Sequence, residues 1–166
     1  PAQIALIAFE QAVVATNEGQ RAVQTVQKKY LPQKEHIDSL SADVSALQKQ
    51  LQEAPKTLSD EDRADRLKTI DAKQKELTRD ADDAQTSYNA DLQEAYGKVA
   101  TKVKTVMDKY VAQHGYTIAL DVGNQQSSVM WALPTTDITE AVVEAYNKES
   151  GVPPPTPEAP TASHPA

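Results

Sequence analysis

The stretch SDEDRAD crowds four carboxylates into little more than one turn of chain: Asp60, Glu61, Asp62 and Asp65. Acids at that spacing could chelate calcium, a hard cation that takes six or more oxygens from a short loop. The stretch lacks the turn glycine and the closing glutamate such a loop needs. Ser59, three residues before Asp62, gives the acids another use, as a capping box at the positive end of a helix. The histidines His36, His114 and His164 match no metal-ligand spacing, and each reads as a solvated side chain. The chain has no cysteine, so thiolate chemistry and disulfides are excluded. Its five glycines form no phosphate loop, dinucleotide fingerprint or nucleophile elbow. No catalytic, cofactor-binding or metal-binding residue is assigned, and no enzyme is expected. Tyr88, Tyr96 and Tyr110 remain as large amphipathic side chains that can pack in a core or touch a bound ligand.

Of 166 residues, 39% are hydrophobic and 5% aromatic, with one Trp and one Phe. That is a thin supply for a compact globule and suits an elongated, helix-rich chain. A formal net charge of −7 and a pI near 4.9 argue against nucleic acid and against electrostatic docking on anionic lipid. No apolar run approaches the roughly 20 residues of a membrane span, so stable insertion is not expected. The sequence opens on Pro1 rather than Met, as it would after removal of a signal peptide or after trimming.

The elements follow from hydrophobic period. QIALIAF (3–9) reads as a short buried strand. A helical pattern begins near Val13. From Val23 its stripe runs Val26, Tyr30, Gln33, Ile37, Leu40, Val44, Leu47, Leu51, in alternating steps of three and four. Pro32 predicts a kink or a boundary within it. After a tip near 55–59, a second stripe runs Leu67, Ile70, Gln74, Leu77, Ala81, Ala84, Tyr88 and onward to Tyr110. Facing residues in an antiparallel hairpin have numbers of constant sum. Leu51 with Leu67, Leu47 with Ile70, Val44 with Gln74, Leu40 with Leu77, Ile37 with Ala81 and Tyr30 with Tyr88 all sum to 117 or 118. The two stripes therefore predict one long helical hairpin, an arm packed through Ile37, Leu40, Val44, Leu47, Leu51, Leu67, Ile70 and Leu77.

Beyond His114-Gly115, a helix C-cap, the period returns to two. YTIALDVG (116–123) and SSVMWAL (127–133) predict two strands joined by a hairpin turn at Asn124-Gln125-Gln126. Asp137 with Glu140 predicts a capping box for a last helix that Gly151 stops. The remaining Pro-rich segment, 152–166, reads as a disordered tail. The fold class is α+β, mostly α, with a small β body from 1–15 and 111–151 and an arm from 16–110. Three short strands can hardly bury their faces alone, so several copies are expected to associate through the strand region. Charge is uneven along the chain. Residues 31–95 hold fifteen acids and nine bases, while residues 96–115 hold four lysines and one acid.

Strand, long helical hairpin, strands and short helix is the order of the Skp/OmpH family of periplasmic chaperones, which the chain resembles from Gln3 to Ser150. The resemblance rests on QIALIAF, ATNEGQRA (15–22), LSDEDRADRLKTIDAKQKEL (58–77), YTIALDVG and TDITEAVVEAYNK. It implies a homotrimer whose body core would include Leu6, Ile118, Leu120, Val122, Val129 and Trp131. It implies an ATP-independent holdase in the periplasm, sheltering unfolded outer-membrane proteins between three arms, with Tyr88 and Tyr96 as candidate client contacts. The best-known members are basic, whereas this arm carries a net six negative charges, so no lipopolysaccharide site is carried over. A second function class, a coiled-coil spacer or adaptor, draws on the Pro-rich tail as a docking ligand.

Overall fold

The computed structural model describes residues 2–157. They form β1 (Ile4–Ile7), α1 (Phe9–Ala15), α2 (Asn17–Gln52), α3 (Asp60–Gln113), β2 (Ile118–Asp121), a 3-10 turn at Pro134–Thr136 and α4 (Thr139–Ser150). Two compact units result: residues 26–91 form one, and residues 2–25 with 92–157 form the other. The division falls deeper along the long helices than the expected limits of 16 and 110, because residues of α3 well before its end supply core to the strand-bearing unit.

In the strand-bearing unit, β1 and β2 pair in parallel, from Ile4 opposite Ile118 to Ile7 opposite Asp121. Ala5 and Ile7 from β1, Ala12 and Val13 from α1, Val99, Val103, Val106 and Met107 from α3, and Ile138, Val142 and Tyr146 close one core. A short α1 and the long α2 form where one helical run was expected from Val13. The fully buried Thr16 separates them, its Oγ1 donating to the Val13 carbonyl at 2.7 Å and accepting from the Gly19 N–H at 3.0 Å. One hydroxyl thus ends α1 and caps α2.

The hairpin expected over 116–133 is corrected. Ser127–Leu133 is not a strand, and it leaves Met130 99% and Trp131 79% exposed. An alternating apolar run makes a strand only where a neighbour accepts its ladder bonds and its apolar face, and one chain supplies no such neighbour here. The capping box is corrected too. Asp137 Oδ1 accepts from the N–H and hydroxyl of Thr139, two residues on, without a reciprocal bond from Glu140. Gly115 and Gly151 hold the left-handed backbone of helix ends at φ 74° and 66°.

In the unit 26–91, α2 runs unbroken through Pro32. The proline removes one donor, but Pro32 and Lys28 are both exposed, so water can serve the orphaned Lys28 carbonyl. Ser59 Oγ accepts from the Asp62 N–H at 3.0 Å, the cap expected for α3. Val26, Leu40, Val44 and Ile70 are buried along the seam of the helix pair. Toward the tip the stripe drifts: Lys73 is half-buried where Gln74 is exposed, and Leu67 is 52% exposed. A straight helix of 3.6 residues per turn rotates away from a 3-4 stripe, and this rotation turns Leu67 off the seam. Toward the tip, Leu47 and Gln50 of α2 and Asp65, Arg66, Thr69 and Ile70 of α3 line an open cleft.

Candidate functional site

An apolar concavity of the helix pair begins where its stripe is interrupted. Gln33 is exposed and Ala81 and Ala84 are small, so the seam between them cannot fill itself. A groove of about 420 Å³ opens there, lined by Tyr30, Leu31 and Ile37 of α2 and by Ala81, Ala84 and Tyr88 of α3 among others. Tyr30 and Tyr88 wall one end, ring centroids 5.4 Å apart at 89°. Asp91 Oδ2 ties that end down, accepting from Tyr30 Oη at 2.8 Å and Lys29 Nζ at 2.6 Å. Lys29 first and Tyr30 second hold the Asp91 carboxyl below its usual range, while Asp91 pushes the Tyr30 phenol up. At the other end, α2 and α3 bring His36, Glu76 and Asp80 together, their ligand atoms within 4.8 Å of one another.

The second candidate surface is on the strand-bearing unit. Ile4 is 46% and Ile118 45% exposed, and Leu120, Val129, Met130, Trp131 and Leu133 are exposed beside them in sequence or register. Among the described residues, β2 pairs with β1 on one edge and with no strand on the other. Such an edge is a template for another strand.

A polar network joins α2, α3 and α4 in this same unit. Glu18 accepts from Lys102 Nζ at 2.6 Å and from the buried Tyr146 hydroxyl. Lys102 and then Tyr146 draw the Glu18 carboxyl down against its burial. Burial foremost, then Glu18, pushes the Tyr146 phenol well above its ordinary value. The start of the Pro-rich tail is held nearby: Arg21 donates to the carbonyls of Pro153 at 2.7 Å and Pro154 at 3.2 Å, and Asn17 Nδ2 to that of Val152 at 3.0 Å. The tail expected to be disordered is thus bonded over its first residues, because backbone without N–H donors still offers carbonyls to an adjacent guanidinium; residues 158–166 lie outside the described residues.

Of the residues expected in the arm seam, Leu40, Val44 and Ile70 are buried, Ile37, Leu47, Leu51 and Leu77 half-buried, and Leu67 mostly open. Of those expected in the body core, Leu6 is buried within the single chain, Val122 is half-buried, and Ile118, Leu120, Val129 and Trp131 are exposed. Tyr88 lines the groove, whereas Tyr96 packs against the strand-bearing core, where burial, then Glu10 and Asp121, raise its phenol. Sequence reasoning missed the two networks and the His36 cluster. Glu76 and Asp80 stand four residues apart on one helical face, but only the register brings His36 to them.

A family model described as "Outer membrane protein (OmpH-like)" matches residues 3–146. A search of curated proteins found no match. Among solved structures, one from Caulobacter crescentus CB15, proposed to be an outer membrane chaperone (OmpH-like), is similar over 90% of this chain and 86% of its own. Its TM-score is 0.66 at 19% identity, a likeness of fold.

Proposed function

Because the chain belongs to the outer membrane protein (OmpH-like) family, we propose that it is an ATP-independent holdase chaperone that keeps unfolded outer-membrane proteins from aggregating in the periplasm, working as a homotrimer. The observation that carries the reading is the exposed apolar face of Ile4, Ile118, Leu120, Val129, Met130 and Trp131 beside the open edge of β2. Two parallel strands of four residues are marginal alone. Pairing with copies of the same edge would cover these side chains and let Ser127–Leu133 find the ladder bonds it lacks. Among the described residues no helix is long and apolar enough to cross a membrane.

Client binding falls to the helix pair. Its groove is shallow, apolar and rimmed by polar chains, which suits many weak contacts with an unfolded chain rather than recognition of one shape. Release then needs no chemical step, only a better-binding acceptor. With fifteen acids to nine bases between residues 31 and 95, acidic clients are not drawn in by charge, so affinity changes weakly with salt or rises with it. A steep loss of affinity with salt for an acidic client would contradict that. The adaptor alternative gains no support from the tail's first residues, whose carbonyls are already bonded to Arg21 and Asn17.

The deciding experiment dilutes a urea-unfolded outer-membrane barrel protein into buffer with and without this protein. Light scattering is followed, and the mass of any soluble complex is measured. Scattering suppressed without nucleotide, with three chains per client, is the expected result. Unchanged scattering despite a clean oligomer would overturn the holdase and favour the adaptor.

A further inference from the structure

The cluster at the groove's end has the composition of a metal site. His36 projects from α2, and Glu76 and Asp80 from successive turns of α3. His36 Nε2 lies 3.2 Å from Asp80 Oδ2, and the other oxygen, Oδ1, faces Arg79 Nε at 3.5 Å. The Asp80 side chain is only 26% exposed, so its carboxylate is already oriented by two cationic or donor groups on either side. The Arg79 contact is a surface pair of little strength and leaves Oδ2 to the cluster.

We propose that His36, Glu76 and Asp80 bind one divalent transition-metal ion that staples α2 to α3. One imidazole and two carboxylates form a borderline nitrogen and oxygen set. It suits Zn²⁺, Co²⁺ or Ni²⁺ better than Ca²⁺, which takes oxygen alone, or Cu(I), which takes sulfur. Ligand atoms around tetrahedral zinc stand about 3.3 Å apart for bonds near 2.0 Å. The three ligand atoms here lie within 4.8 Å, so an ion has to draw them together by no more than about 1.5 Å, within reach of side-chain rotation. Binding exchanges the His36–Asp80 contact for two metal bonds, with the ligating imidazole neutral and its proton on Nδ1. The remaining coordination positions go to water, which leaves the ion open to solvent. Since Ile37 and Ala81 line the groove and follow His36 and Asp80 directly, the ion fixes the spacing of the groove's two walls.

The test titrates Co²⁺ and Zn²⁺ into the full chain, reading the visible d–d absorption of Co²⁺, the stoichiometry by calorimetry and the thermal midpoint. One ion per chain and a midpoint raised by Zn²⁺ are expected. His36→Asn and Glu76→Gln should each weaken binding at least about tenfold, since loss even of outer-shell partners does that much. The double variant His114→Asn with His164→Asn, which removes the other two imidazoles, should bind as the parent does. His36 is 59% exposed at its side chain, so its replacement leaves the fold intact, and an unchanged circular-dichroism melt without metal checks this. Unsaturable binding, binding that survives His36→Asn, or binding lost only in the double variant would each overturn the site. Client suppression is not the readout, so the holdase proposal stands or falls separately.

Discussion

Tyr30 and Tyr88 face each other edge to face across the helix pair, and their numbers sum to 118, the register constant read from the two hydrophobic stripes. An edge-to-face pair contributes about 0.5–1.5 kcal/mol beyond the area it buries. Tyr88→Ala should therefore cost about 1–2 kcal/mol of helix-pair stability in urea titration. Tyr30→Phe keeps the ring and loses only the bond to Asp91, so it should cost less than half as much. Equal costs would mean that the hydroxyl, rather than the ring contact, holds this end of the groove.

Two residues one turn apart on α3 separate packing from pattern. Ile70 is 6% exposed and Leu67 52%. Ile70→Ala should destabilise by about 2–4 kcal/mol, the usual cost of a buried aliphatic truncation, while Leu67→Ala should stay within about 0.5 kcal/mol. Chemical denaturation followed by helical circular dichroism measures both. A costly Leu67→Ala would restore the Leu51–Leu67 pairing that the stripe suggested.

The contrast shows what periodicity can carry. A stripe at steps of three and four made the helix pair and the Tyr30–Tyr88 register legible, because apolar residues must meet across one line. It could not place Leu67, since the drift between 3.6 and 3.5 residues per turn accumulates toward the tip. Nor could it place Ser127–Leu133, whose alternation signals a strand for which the single chain supplies no ladder partner. Glu18, Lys102 and Tyr146 are scattered over 128 positions and carry no local signal at all. Thr16 and Gly19 lay within ATNEGQRA, a stretch legible as a helix start, but their hydrogen bond was not.

Gly19 stands where backbone meets backbone. A Cβ built there would overlap the Val13 carbonyl oxygen and crowd Thr16 Oγ1 at 2.9 Å. Neither neighbour can yield: the carbonyl accepts from Thr16, and Thr16 is fully buried. Gly19→Ala should thus destabilise by about 3 kcal/mol or more despite the better helix propensity of alanine. A thermal melt decides it, and an unchanged midpoint would mean that α1 and α2 can part at Thr16 without cost.

Glu18 gives the fold a pH dependence of known sign. Its folded carboxyl titrates below its ordinary value, through Lys102 first and Tyr146 second. A depressed carboxyl stabilises above the unfolded pKa and loses that contribution as pH falls through the folded one. Glu18→Gln should cost about 1 kcal/mol at pH 7, with the gap to the parent closing below about pH 4. Tyr146, raised by burial and by Glu18, works in the opposite direction: its contribution is present at neutral pH and fades in strong alkali. Stability of the two proteins across pH measures the first effect, and a gap that widens in acid would reverse the assignment.

Trp131 is the chain's one tryptophan and is 79% exposed in the single chain, which makes intrinsic fluorescence a direct reporter of assembly. If copies join through this face, the indole leaves water and its emission moves to the blue at concentrations where the oligomer forms. Ile118→Asp puts a carboxylate opposite Ile4 in the parallel register and at the open face, where burial without a partner is costly. That variant should run as a monomer in light-scattering chromatography and emit as solvated indole at every concentration. Leu47→Asp, in the helix-pair unit, should leave both assembly and emission unchanged while lowering the stability of the pair. The reverse outcome, an oligomer lost with Leu47→Asp and kept with Ile118→Asp, would transfer assembly from the strand face to the helices.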